Sequence, residues 1–89
     1  MFNKTLAMGK VVALLKDKRT LIISLDEDSD AYIPFVLPES FYDSIMSTNL
    51  ASGDRISITG HFVKGTGKFC RLMADKITIL NKEGGSNND

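Results

Sequence analysis

The chain contains no tryptophan, one cysteine, one histidine and two prolines among its 89 residues. Without tryptophan, any flat apolar platform has to come from phenylalanine or tyrosine. A single cysteine, Cys70, excludes an intramolecular disulfide and suits a reducing compartment. Its strand-like surroundings read as those of a buried, inert thiol. His61 is the only histidine and has no partner visible nearby in the sequence, so it reads as a surface or edge residue and not as a general base. No apolar run approaches the ~20 residues that span a bilayer. The start of the chain lacks the basic and then apolar segments of a signal peptide. A cytoplasmic protein that is not an enzyme, with no cofactor and no metal, is the expectation. Neither sign of charge is in surplus: eleven basic residues balance eleven acidic ones. A strong nucleic-acid binder usually carries a positive excess. The charge is unevenly placed, however. Asp26, Glu27, Asp28 and Asp30 crowd one short stretch, and the remainder of the chain is net positive.

What is present is a globular composition, with 43% hydrophobic residues. The length fits one domain, expected over residues 1–82, with a flexible polar tail at 83–89 (EGGSNND). A domain this small buries a modest share of its surface, so self-association is expected.

Residues 2–16 carry Leu6, Met8, Val11, Val12, Leu14 and Leu15 around Gly9. Helical spacing is also possible, but a mid-helix glycine and the Val11-Val12 pair favour a long strand kinked at Gly9. Asp17, Lys18 and Arg19 form a polar turn. Thr20 to Asp26 alternates, with Leu21, Ile23 and Leu25 on one face. The acidic stretch is a turn. Ala31 to Leu37 places Ile33, Phe35 and Leu37 against Tyr32, Pro34 and Val36. Pro34 removes a donor, which places it at an edge or a bulge. Phe41, Tyr42, Ile45, Met46 and Leu50 have the 3.6-residue period of an amphipathic helix beginning at Pro38-Glu39-Ser40. Arg55 to Val63 and Phe69 to Leu80 are two further strands. Ile56 and Ile58 face inward in the first. Cys70, Leu72, Ala74, Ile77 and Ile79 form the apolar set of the second, and the change of face at Asp75-Lys76 requires a bulge.

Three strands, one helix and two strands is the chain order of a five-stranded Greek-key barrel, the oligonucleotide-binding (OB) fold, with the helix between strands three and four. Several segments resemble bacterial single-stranded-DNA-binding proteins: Asn3-Lys4 with Gly9-Lys10, Tyr32, Gly53-Asp54-Arg55 running to Gly60-His61-Phe62, and Ala74-Asp75-Lys76-Ile77 with Leu80. The resemblance covers about residues 2–80. The small dimeric primosomal replication proteins, primosomal replication protein N among them, share the architecture. The resemblance implies sequence-independent binding of single-stranded DNA in replication, repair or recombination, as a homodimer or homotetramer with possible replication-protein partners. The chain departs from that pattern in its short acidic loop between strands two and three. It also lacks the apolar-tipped acidic tail.

Single strands are held by a basic groove and aromatic platforms. Tyr32 and Phe69 have outward parity; each is read as a stacking residue or, alternatively, as an edge aromatic and an oligomer contact respectively. Phe62 has core parity. Lys4, Lys10, Arg55, Lys64, Lys68 and Arg71 are the phosphate-binding candidates. The Lys64-Gly65-Thr66-Gly67-Lys68 stretch lacks the glycine spacing and following helix of a P-loop and reads as a hairpin turn. The acidic turn lacks the glycine and distal glutamate of an EF-hand. Two other readings remain beside DNA binding: a protein-interaction module, motivated by the zero net charge and the acidic turn, and an RNA-binding barrel.

Overall fold

Side chains pointing inward from every strand build the core. Val11, Leu21, Ile23, Phe35, Leu37, Ile56, Ile58 and Ala74 are all buried and form one cluster. Each of the larger ones contributes about 1.5–3 kcal/mol by leaving water. The computed structural model describes residues 3–82. The strands are β1 (Thr5–Leu15), β2 (Thr20–Leu25), β3 (Tyr32–Val36), β4 (Arg55–Lys64) and β5 (Cys70–Asn81), and one helix, α1 (Glu39–Met46), lies between β3 and β4. The strands close into a barrel in the order β1-β2-β3-β5-β4. This is the expected OB fold. The anticipated tail at 83–89 lies outside the described residues.

The closure is uneven. β4 and β5 pair along almost their whole length, whereas β3 and β5 meet in parallel at Val36 and Met73 alone. Pro34 stands opposite Ile22 of β2, and its other side is left without a strand partner. That arrangement tolerates its missing donor. Along the loosely joined β3–β5 seam the barrel offers a groove in place of a continuous sheet.

Gly9 is a close-approach site rather than the kink. A Cβ there would lie 1.8 Å from the carbonyl oxygen of Ser24 on β2. The irregularity expected at Gly9 falls instead between Val11 and Ala13, where the β1–β2 register shifts. The bulge expected in the last strand is present, with Ala74 opposite Gly60, Lys76 opposite Thr59, and Asp75 left over between them.

A short 3-10 turn (Lys16–Lys18) joins β1 to β2 and ends at Arg19 in a left-handed conformation with φ 48°. Pro38 caps α1, fixing the chain's entry where no backbone donor is required. Phe41, Tyr42 and Ile45 pack against the core, so the helix closes one end of the barrel. Asn49, at φ 56°, turns the chain out of the helix towards β4.

Candidate nucleic-acid interface

The β4–β5 hairpin runs past the closed part of the barrel, and this corrects two expectations. Phe62 and Cys70 do carry core parity, since Phe62 stands opposite Leu72 on the face that continues from Ile56 and Ile58. On that face Leu72 still packs against the core, but Phe62 and Cys70 do not. Phe62 is 48% exposed and Cys70 is exposed, and both line a surface groove where a core position was expected.

This groove has a volume of about 740 Å³. Ile33, Pro34 and Val36 of β3 form one wall, and Phe62 of β4 with Cys70, Arg71 and Leu72 of β5 forms the other. Lys18 and Thr20 close the end nearest the β1–β2 turn. A second hollow of about 650 Å³ adjoins it, sharing Phe62 and Cys70 and adding Asn3, Val63, Lys64, Gly67 and Lys68. Four cations therefore border the combined channel (Lys18, Lys64, Lys68 and Arg71), and among the described residues no Asp or Glu lines either part. The neutral whole-chain charge conceals a local basic channel.

The sequence candidates separate into two groups. Lys64, Lys68 and Arg71 come together in the channel. Phe69, 80% exposed, stands at the same hairpin next to Lys68. Tyr32, 61% exposed, lies on β3 two residues from Pro34 and therefore on the same strand face, about 7 Å along. Lys4 sits elsewhere, 4.0 Å from the carboxylate of Asp75. Lys10 and Arg55 are register partners, and Lys10 also stands opposite Ser24, placing them on the outer β4–β1–β2 face away from the channel lining. Arg55 is engaged there already. Its Nε donates to Asp26 Oδ2 at 3.1 Å, and Nη2 donates to the same oxygen. The hydrogen bond to Asp26, reinforced by its charge, raises the Arg55 pKa.

Lys18 and Phe62 line the channel but were absent from the sequence candidates. Lys18 had a readable signal, since it lies in the β1–β2 turn, a loop that OB barrels use for ligands. Phe62 had none, because parity does not report where the barrel ends. His61 does have a partner, contrary to expectation. Its Nδ1 is 2.9 Å from Asp75 Oδ1, across the β4–β5 pair and beside the bulge. Neither residue lines the channel.

The acidic turn lies at the far end of β2 and β3. Asp26 N–H donates to Met8 O, and Asp28 folds back to accept from Asp30 N–H at 3.0 Å. Asp26 and Glu27 border another hollow with Leu6, Met8 and Leu25, which shares Ile33 with the main groove. Among the described residues, no group of three or more His, Cys, Asp or Glu side chains is placed to hold a metal ion, and no helix is long and apolar enough to cross a membrane.

The closed five-stranded barrel, with its helix between β3 and β4, defines an OB fold. Among solved structures, the chain is similar to the mitochondrial single-stranded DNA binding protein Rim1 of S. cerevisiae. One Rim1 crystal structure has a TM-score of 0.73 at 11% identity, covering 93% of this chain and 99% of that one. A second has a TM-score of 0.68 at 13% identity, covering 98% and 100%. The chain is also similar to OBody NL8, solved bound to hen egg-white lysozyme, with a TM-score of 0.61 at 23% identity over 92% of this chain and 98% of that one. No family model and no curated protein sequence matches the chain. At these identities the likeness is one of fold.

Proposed function

We propose that this protein binds single-stranded DNA without sequence preference, in the channel between β3 and the β4–β5 hairpin. The observation that carries the reading is the composition of that channel: four cations, no carboxylate among the described lining residues, and an exposed aromatic ring at the junction of its two parts. Cations track phosphates, while Phe62 and the apolar floor of Ile33, Pro34 and Val36 receive base faces. Among the described residues, Thr20 supplies the one neutral hydroxyl in the main groove, and no Asn, Gln, Asp or Glu lines it to read base edges. Binding of this kind responds to the charge and stacking of the strand and not to its sequence. Likeness in fold to Rim1, a mitochondrial single-stranded DNA binding protein, supports the same reading.

The wider context follows the sequence resemblance: a non-enzymatic cytoplasmic relative of the bacterial single-stranded-DNA-binding proteins, acting as a homodimer or homotetramer in replication, repair or recombination. DNA is preferred over RNA in this account, and competition between matched oligonucleotides separates the two. A protein-interaction role has one observation in its favour. Exposed Leu6 and Met8 lie beside Asp26 and Glu27, in a hollow that contains none of the channel's four cations. A nuclease-insensitive, stoichiometric protein partner would favour that role.

The test is a fluorescence-anisotropy titration of labelled oligo(dT) at several salt concentrations. If each of the four cations neutralises one phosphate, log K falls against log salt with a slope of about −3. Absence of binding at low salt and micromolar protein would end the proposal.

A further inference from the structure

Asn3 precedes β1, yet its side chain behaves as one more rung of the β1–β4 ladder. In the register set by Thr5 and Gly60, position 3 falls opposite Phe62. The Asn3 amide completes that pair with both of its polar atoms. Nδ2 donates to Phe62 O at 2.7 Å, and Oδ1 accepts from Phe62 N–H at 2.9 Å. A carboxamide carries one acceptor and a pair of donor hydrogens, so it can replace a backbone peptide in such a pair.

The location gives this contact its consequence. Phe62 lies where β4 leaves the barrel and continues only as a two-stranded hairpin with β5. Two-stranded ribbons twist strongly and are marginal by themselves. Holding the Phe62 backbone on both sides, by Leu72 from β5 and by Asn3 from the β1 side, fixes the direction in which its ring enters the channel. Asn3 also borders the second hollow, but its amide oxygen and one amide hydrogen are committed to the Phe62 backbone.

We infer that Asn3 is a positioning residue for single-strand binding: it clamps the base of the β4–β5 hairpin and orients the Phe62 ring as the channel's stacking platform. The inference rests on the DNA-binding reading. Its mechanism is preorganisation, because a ring already held in place loses less freedom when a base stacks on it.

The experiment is a double-mutant cycle of Asn3→Ala and Phe62→Ala, read by oligo(dT) anisotropy at several salt concentrations, with thermal melting to establish that each variant is folded. Amide hydrogen exchange at Phe62 is followed in the unaltered protein and in Asn3→Ala. Asn3→Ala is expected to weaken binding by about three- to tenfold, the scale of one net hydrogen bond or slightly more. The salt slope stays unchanged because no charge is removed, and the Phe62 amide exchanges faster. In the Phe62→Ala background, Asn3→Ala should add nothing further. Additive losses would overturn the inference by making Asn3 an independent contact. Unchanged affinity in a folded Asn3→Ala variant would overturn it as well. Failure of the unaltered protein to bind oligo(dT) would end the DNA-binding reading itself, an outcome distinct from both.

Discussion

Lys82 Nζ lies 2.6 Å from Asp54 Oδ2, and the Asp54 side chain is fully buried. The same carboxylate oxygen accepts from Ala51 N–H at 2.9 Å, while Lys82 also donates to Asn49 O at 2.8 Å. One ion pair thus ties the residue after β5 to the turn that leads out of α1 into β4. It closes the end of the barrel opposite the projecting hairpin.

Removing the carboxylate should be costly. Breaking a buried pair from one side typically costs about 3–5 kcal/mol. The Lys82 side chain is about one-third exposed, so water can solvate the partner left behind. Asp54→Ala is therefore expected to lose about 2–3 kcal/mol in urea unfolding, at or just below the bottom of that range. Lys82→Ala removes the counter-charge of the buried carboxylate, which keeps its bond from Ala51 N–H, and should lose a comparable amount. Loss of less than half a kcal/mol in both would show that the pair does not hold the barrel end.

Gly9→Ala is expected to be among the most damaging single changes. The added methyl would meet the Ser24 carbonyl at 1.8 Å, and that atom belongs to the β2 backbone, which cannot swing aside. Overpacking commonly costs about 1–3 kcal/mol, and a backbone clash in a closed barrel belongs at or above the top of that range. Thermal melting with strand content followed by circular dichroism would measure it.

Within the channel, Phe62→Ala should weaken oligo(dT) binding by about 1–3 kcal/mol with little change in salt slope, as expected for a lost stacking surface. Arg71→Ala should weaken binding and also flatten the slope by about 0.7, the share of one phosphate on a single strand. A Phe62→Ala variant that is folded and binds normally would remove the aromatic platform from the account.

Arg55 provides the opposite prediction. Its guanidinium is held by Asp26, so Arg55→Ala should leave both affinity and salt slope nearly unchanged. The pH dependence has a defined sign. The folded-state pKa of Arg55 is raised by its hydrogen bond to Asp26 and then by that residue's charge. Its contribution to stability is complete below the unfolded-state pKa and is lost only as pH rises through the higher folded value. Between pH 6 and 9 this arginine should impose no slope on stability, and comparing pH-dependent melting of Arg55→Ala with the unaltered protein checks this.

The strand order, the helix and most of the inward faces were legible in the sequence because alternation and turn chemistry are local. The Asp75 bulge was legible for the same reason, since the apolar set changes face there. Phe62 and Cys70 were misplaced although their parity was read correctly. Which face is covered depends on where β3 stops pairing with β5, and that is a property of closure, not of β4 or β5 alone. Contacts across long sequence separations were not legible, as in Asn3 with Phe62 at the channel and, elsewhere on the barrel, Asp54 with Lys82 and Arg55 with Asp26. No periodicity encodes such pairs. Among the cations, the sequence supplied positive charge at strand ends, but the register decided that Lys64, Lys68 and Arg71 converge while Lys10 and Arg55 face away.

The most direct test of the central claim is amide chemical-shift mapping of the labelled protein during titration with oligo(dT). Binding in the channel should give shifts concentrated at Lys18, Thr20, Ile33, Phe35, Val36, Phe62 to Lys64 and Phe69 to Leu72, weakening as salt is raised. Shifts confined to Leu6–Met8 and the Asp26–Asp30 turn, or no shifts at low salt, would contradict it.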